Sequence, residues 1–127
     1  MRIGQGFDVH ALVLGRPLIL GGVLIPNEKG LEGHSDADVL IHALIDALLG
    51  ACAMGDIGQY FPDTDSQWQG VDSKVMLATV YKMVHEAGYK VVNVDSTVIA
   101  ERPKLAPYIP DMCKMLSSLL KVSTNRV

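Results

Sequence analysis

The sequence predicts a two-layer α/β sandwich of the α+β class, with strands in one layer and helices in the other. Three observations carry this. Residues 1–10 alternate with a two-residue period, and a later stretch, "YKVVNVDSTVIA", is rich in β-branched residues. Three further stretches repeat their apolar residues at helical spacing. Glycine- and proline-bearing turns separate all of these. With 127 residues and no repeat, low-complexity tract or linker, residues 1–127 read as a single domain around one core.

Taken in order, Ile3, Phe7 and Val9 fall on one face of the first strand, and Arg2, Gly4, Gly6, Asp8 and His10 on the other. "PLILGGVLIP" reads as two short strands about Gly21 and Gly22. After a glycine-bracketed loop, Ser35 and Asp38 form a capping box for the first helix. That helix turns Leu40, Ala43, Leu44, Ala47 and Leu48 inward, and Ile41, Ile45 and Leu49 make much of the rest apolar. "GDIGQYFPDTDSQWQG" is a loop. A second helix runs from about Asp72 to Ala87, with Met76, Val80, Val84 and Ala87 inward and Gly88 as its stop. "YKVVNVDSTVIA" is a strand and "ERPKLAP" a loop. A third helix faces Ile109, Met112, Leu116 and Leu119 inward, and "VSTNRV" leads toward another strand.

The net charge of −3 and a pI near 5.7 argue against a nucleic-acid or anionic-membrane surface. A mean hydropathy of +0.25 is high for a small domain and hints at a buried subunit interface. Cys52 and Cys113 lie in apolar helical stretches outside any CxxC pair, as small hydrophobes of a reducing compartment do. The N-terminus does not read as a signal peptide, and His42 and Asp46 interrupt the longest apolar run, so a soluble protein is expected.

One feature of the first helix is at odds with its greasiness. Asp38, His42 and Asp46 stand four residues apart and so line one stripe. Asp8 and His10, two apart on a strand, project from one face of a sheet that this helix should cover. Asp8, His10 and His42 are a three-ligand set suited to zinc, with a fourth position open for water or substrate. Ligating imidazoles usually give their second N–H to a carboxylate, which Asp38 or Asp46 could supply. Plain hydrogen bonding across a helix–sheet seam is the bland alternative. His34 and Ser35 sit at the mouth of the helix, where free N–H groups favour phosphate, although an exposed loop histidine is the plainer reading of His34. Asp56, Asp63 and Asp65 suit hydroxyls or a second metal, or simply form turns. His85 reads as a surface residue.

"GFDVHAL", "ILGGVLIP", "GLEGHSDADVLIHALIDALLGACAMGDIGQYFPDTD", "NVDSTVIAERPKLAP" and "IPDMCKML" together resemble the 2-C-methyl-D-erythritol 2,4-cyclodiphosphate synthases of the non-mevalonate isoprenoid pathway. The resemblance runs almost from end to end. It implies a mixed β-sheet with helices on one face, assembled as a homotrimer with active sites between subunits. Asp8, His10 and His42 match the family's zinc ligands, and Asp8, Val9 and His10 also touch substrate. His34 and Ser35 match its phosphate-contacting pair, His34 being the catalytic group that stabilises the transition state. Asp56, Ile57 and Gly58 match the stretch that holds the methylerythritol, and Phe61, Pro62, Asp63, Thr64 and Asp65 a further substrate-contacting segment. Ala100, Glu101, Arg102, Pro103, Lys104, Leu105 and Ala106 match the loop that reads cytosine, contributed by the neighbouring subunit.

The implied reaction is intramolecular: the 2-phosphate of 4-diphosphocytidyl-2-C-methylerythritol 2-phosphate attacks the β-phosphorus, CMP leaves, and a cyclic diphosphate forms. The implied cofactors are zinc and a second divalent ion, magnesium or manganese. The implied partner is the small cytidine diphosphate substrate, with no nucleic acid or membrane. The implied location is the bacterial cytoplasm, or a plastid-type organelle after loss of a transit peptide. Family members continue past a segment like "NRV" into a strand and loop with further phosphate-contacting groups, so that segment is expected to be missing here. A zinc-dependent cytidine-nucleotide binding module without full activity is therefore an alternative expectation, and a zinc phosphohydrolase a more remote one.

Overall fold

A computed structural model describes residues 1–127. Four short strands come first: β1 (Leu12–Leu14), β2 (Leu18–Leu20), β3 (Val23–Ile25) and β4 (Lys29–Leu31). They form two separate antiparallel pairs, β1 with β4 and β2 with β3. The β2–β3 hairpin closes with Leu20 opposite Val23 around Gly21 and Gly22. Both glycines have positive φ, +56° and +75°, the requirement of a tight two-residue hairpin turn. The helices follow: α1 (Val39–Ala51), the short α2 (Ile57–Tyr60), α3 (Ser73–Glu86) and α4 (Ile109–Leu120). The core lies between the β2–β3 hairpin, α1, α3 and α4, filled by Leu18, Ile25, Ile41, Ile45, Leu77 and Leu120 among others. No helix is long and apolar enough to cross a membrane.

Several expectations need correcting. No mixed sheet forms; both pairs are antiparallel and two-stranded. Residues 1–10 and 89–100, read as strands, belong to neither sheet. Their composition is right for strands, but a strand also needs a neighbour's ladder, and neither finds one. Instead both line one groove of about 430 Å³, the first segment through Phe7 and Val9 and the second through Thr97, Val98 and Ile99. One backbone bond, from Val94 N–H to the Arg126 carbonyl at 2.7 Å, ties the later segment to the chain's last turn. That turn, Thr124–Arg126, is 3-10 helix rather than the lead-in to a strand.

The first segment is also the other way round from a usual core strand. Gly4 and Gly6 face α1 so closely that a Cβ on either would stand 1.8 Å from a carbonyl oxygen, of Ala47 and Ala43 respectively. Two residues along the segment match one turn back along the helix, the step of an extended chain. The apolar alternates point outward, with Ile3, Phe7 and Val9 respectively 89%, 78% and 69% exposed. Ala43 and Ala47 thus serve as a seat for this segment, while Ile41, Ile45 and Leu49 supply the deep face of α1.

Smaller corrections concern helix registers and caps. Asp38, not Ser35, is the N-cap of α1, and its carboxylate accepts from the Ile41 N–H. In α3 Ala87 is exposed, and Leu77 joins Met76, Val80 and Val84 inside. In α4 the buried stripe is Met112, Leu116 and Leu120, whereas Ile109 is half exposed.

Candidate functional site

The cluster begins with the glycine seat. By laying residues 4–6 against Ala43 and Ala47, α1 brings the following Asp8 and His10 beside its own His42. Asp8 Oδ2 lies 3.1 Å from His42 Nδ1 and 3.6 Å from His10 Nδ1. One ligand atom from each of the three residues lies within 4.8 Å of the others, the span one ion bridges. The donor chemistry fits a cation. His10 Nδ1 sits 2.7 Å from the Val9 carbonyl, which can only accept, so Nδ1 carries the hydrogen and Nε2 keeps a lone pair. One carboxylate and two imidazoles make a borderline set that suits zinc, with room for a further ligand on the open side.

The stripe along α1 divides its labour. Asp38 is fully buried and accepts from three backbone N–H groups, of Gly21, Gly22 and Ile41, fastening the hairpin turn to the helix start. Burial pushes its carboxyl up to about 6, against the pull of those hydrogen bonds and with a smaller push from the charge of Asp36. Asp46 accepts from the Ile57 N–H at 2.8 Å and so holds the start of α2. Neither reaches His42. The far nitrogen of that ring, Nε2, faces Ser73 Oγ at 3.0 Å and Ser35 Oγ at 3.1 Å. Ser73 in turn gives its hydroxyl to Asp36, whose other oxygen accepts from the Ser73 N–H.

A cleft of about 570 Å³ opens beside the cluster. Asp8, His10 and His42 border it together with His34, Ser35, Ile57, Gly58, Phe61, Pro62, Asp63 and Thr64. Three expected residues sit differently. Asp56 caps α2 through the Gln59 N–H, the Val9 side chain points out, and the Asp65 carboxylate binds Gln67, which holds it below the usual carboxylate range. The Asp65 carbonyl does contribute, accepting from His34 Nε2 at 3.0 Å. The segment expected to read cytosine does not border this cleft, although Asp8 and His10 line a second hollow with it. Ala100, Arg102, Pro103 and Leu105 border the apolar groove, and Glu101, Lys104 and Ala106 are exposed. His85 is exposed and stacks on Tyr81.

Three residues were not legible as part of the site. Arg16 donates to the carbonyls of Gly33 and Ser35, at 3.1 and 3.0 Å, and so pins the loop that carries His34. Asp36 and Ser73 join that loop to the start of α3. The only local signal was the "VDS" N-cap of α3, where Asp72 accepts from the Lys74 N–H.

The chain is similar to known proteins over most or all of its length. The sequence model of the YgbB family matches residues 1–127. A 2-C-methyl-D-erythritol 2,4-cyclodiphosphate synthase of Nitrosomonas europaea is 64% identical over 112 residues, covering 88% of this chain and 69% of that protein. The synthase of Laribacter hongkongensis is 60% identical over 127 residues, covering 100% of this chain and 78% of that one. Among solved structures, a 2C-methyl-D-erythritol-2,4-cyclodiphosphate synthase in its CDP-bound form superposes with a TM-score of 0.92 at 44% identity, covering 98% of this chain and 83% of that one.

Proposed function

The chain belongs to the YgbB family, and from that premise we propose how it works as a 2-C-methyl-D-erythritol 2,4-cyclodiphosphate synthase in isoprenoid precursor biosynthesis. The reaction is an intramolecular phosphoryl transfer. The 2-phosphate of 4-diphosphocytidyl-2-C-methyl-D-erythritol 2-phosphate attacks the β-phosphorus, the bond to the α-phosphate oxygen breaks, and CMP leaves, which makes the enzyme a phosphorus–oxygen lyase. One observation carries this reading: the Asp8–His10–His42 cluster opens onto the same cleft as His34 and Ser35.

The attacking phosphate is already largely dianionic near neutral pH, its second pKa being about 6, so the residues need not act as a strong base. Their work is to fold the substrate and to offset the charge of crowded oxygens. Asp8, His10 and His42 would hold zinc, which supplies Lewis-acid polarisation of a phosphoryl oxygen, with magnesium or manganese as the second ion. His34 and Ser35 face the diphosphate, the first as the stabiliser of developing charge. Ile57 and Gly58, on the first turn of α2, present backbone to the methylerythritol beside Asp56. Phe61, Pro62, Asp63 and Thr64 close the far wall.

The cytosine is read by residues 100–106 of a neighbouring copy in a homotrimer, with residues 1–127 acting as one such unit. Outward apolar side chains support that assembly, because Ile3, Phe7, Val9 and Ile99 are all largely exposed, and exposed apolar surface of this kind favours cover by another copy. The reading makes it an enzyme of the cytoplasm, as expected for this pathway in bacteria.

The decisive experiment supplies the diphosphocytidyl substrate with zinc and magnesium and follows CMP and the cyclic product. Both should appear in equal amounts. Inorganic phosphate without a cyclic product would replace the synthase by a phosphohydrolase. A folded, zinc-loaded chain that releases nothing would leave a cytidine-nucleotide binding module.

A further inference from the structure

We propose that Ser73, anchored by Asp36, is a positioning residue that fixes which nitrogen of His42 faces the metal cluster. The inference rests on the metal reading above and adds two residues to it, neither of which borders the reacting groups as a ligand.

The argument is one of donors and acceptors. A carboxylate accepts only, so the hydrogen of Ser73 Oγ, which lies against Asp36 Oδ1, is committed to Asp36. Ser73 Oγ therefore turns lone pairs toward His42 Nε2, 3.0 Å away. The second hydroxyl there, Ser35 Oγ, accepts from the Ala37 N–H at 3.1 Å and keeps its own hydrogen, so it meets either tautomer of His42 and Ser73 alone discriminates between them. His42 meets Ser73 with a bonding contact only if Nε2 carries a hydrogen. His42 Nδ1 faces Asp8 Oδ2 at 3.1 Å and gives that carboxylate its hydrogen when no cation lies between them. A cation shared by the two would take the Nδ1 lone pair and leave the ring hydrogen on Nε2, where Ser73 accepts it. The relay runs Asp36, Ser73, His42 Nε2, and it acts across the ring on Nδ1, the nitrogen that faces Asp8.

The anchoring is rigid. Asp36 grips Ser73 at two points, through the hydroxyl and through the N–H at 3.0 Å. Its Oδ1 also accepts from the Asp38 N–H, and its own N–H donates to the Val71 carbonyl. Ser73 is fully buried at the first position of α3, where a serine hydroxyl pointing inward rather than to solvent calls for a partner. Burial also removes water as a substitute donor or acceptor.

Two measurements test this. The first needs no variant: nitrogen-15 spectra of the zinc-loaded, histidine-labelled chain should show His42 bound through Nδ1 with a slowly exchanging hydrogen on Nε2. Coordination through Nε2 would overturn the proposal. The second is zinc affinity by competition with a chromogenic chelator. Ser73→Ala should raise the zinc Kd about 10- to 100-fold, and Ser73→Thr, which keeps the hydroxyl, should restore most of it. An unchanged Kd in folded Ser73→Ala would overturn the proposal while leaving the metal site standing. His42→Ala separates the two readings: it should abolish stoichiometric zinc, and a wild-type chain that takes none, or a His42→Ala chain that keeps it, overturns the metal reading and this inference together.

Discussion

Gly6 sits so close to Ala43 that a Cβ at position 6 would stand 1.8 Å from the Ala43 carbonyl oxygen. No rotamer relieves that contact, because both partners are backbone. Gly6→Ala must therefore lift the first segment off α1, and Asp8 and His10, two and four residues on, move with it. The expected outcome is an unchanged far-UV spectrum, since the segment contributes no helix. Stability should fall by about 1–3 kcal/mol, and zinc affinity by at least about tenfold as the three ligands separate. Retained zinc affinity in this variant would show that the seat does not set the site.

The same contact explains what the sequence made legible and what it did not. The DxH spacing and the helical position of His42 depend only on local periodicity, so the three residues that cluster are legible in the sequence. The four-residue stripe was equally visible, but its meaning was not. Asp38 serves Gly21 and Gly22, and Asp46 serves Ile57, because different elements cover successive turns of α1. A repeat on one helix does not say what lies above each turn. Ser73 was invisible for the same reason: its partner Asp36 is 37 residues away. The glycines misled in another way. The alternation puts them on the non-apolar face of a strand, whereas they are the face that packs, and the apolar alternates lie outside.

Asp38 gives a pH dependence whose sign follows from its environment. Its carboxyl is raised from 3.8 to about 6 in the folded chain, chiefly by burial. Between these values the folded chain holds a proton that the unfolded chain releases. The contribution of this group is thus fully present below pH 4 and is lost as pH rises through about 6, by about 3 kcal/mol in all. Asp38→Asn cannot ionise and should lose this slope, at the expense of one acceptor for the hairpin N–H groups. Urea unfolding of both chains at pH 4, 5, 6 and 7 checks it. Parallel stability curves would count against a raised Asp38.

His34 lies in the cleft with its Nε2 held by the Asp65 carbonyl and makes no hydrogen bond to Asp8, His10 or His42. Its removal should therefore separate chemistry from metal binding. His34→Ala is expected to keep stoichiometric zinc and to lower kcat by about 10²- to 10³-fold, the usual cost of one charge-stabilising donor. Paired zinc analysis and steady-state kinetics check this. A variant that loses its zinc would make His34 part of the metal site instead.

The separation of the cleft from residues 100–106 makes a sharper demand on the assembly. In one chain Asp8 and His10 border both hollows, whereas His34, Ser35 and His42 border only the cleft and Ala100 and Pro103 only the apolar groove. If each working site pairs one chain's cluster with a neighbour's loop, two inactive variants must complement each other. His42→Ala removes the cluster and leaves the loop; Ala100→Trp blocks the loop and leaves the cluster. Mixed one to one after dissociation and reassembly, a ring with sites between neighbours joins an intact cluster to an intact loop at about a quarter of its interfaces. Activity should rise from near zero in each variant alone to about a quarter of wild type in the mixture. If cluster and loop of the same chain made the site, every site in the mixture would carry a defect and activity would stay near zero. The measurement is CMP release from the mixture, with native mass spectrometry confirming that oligomers holding both variants form.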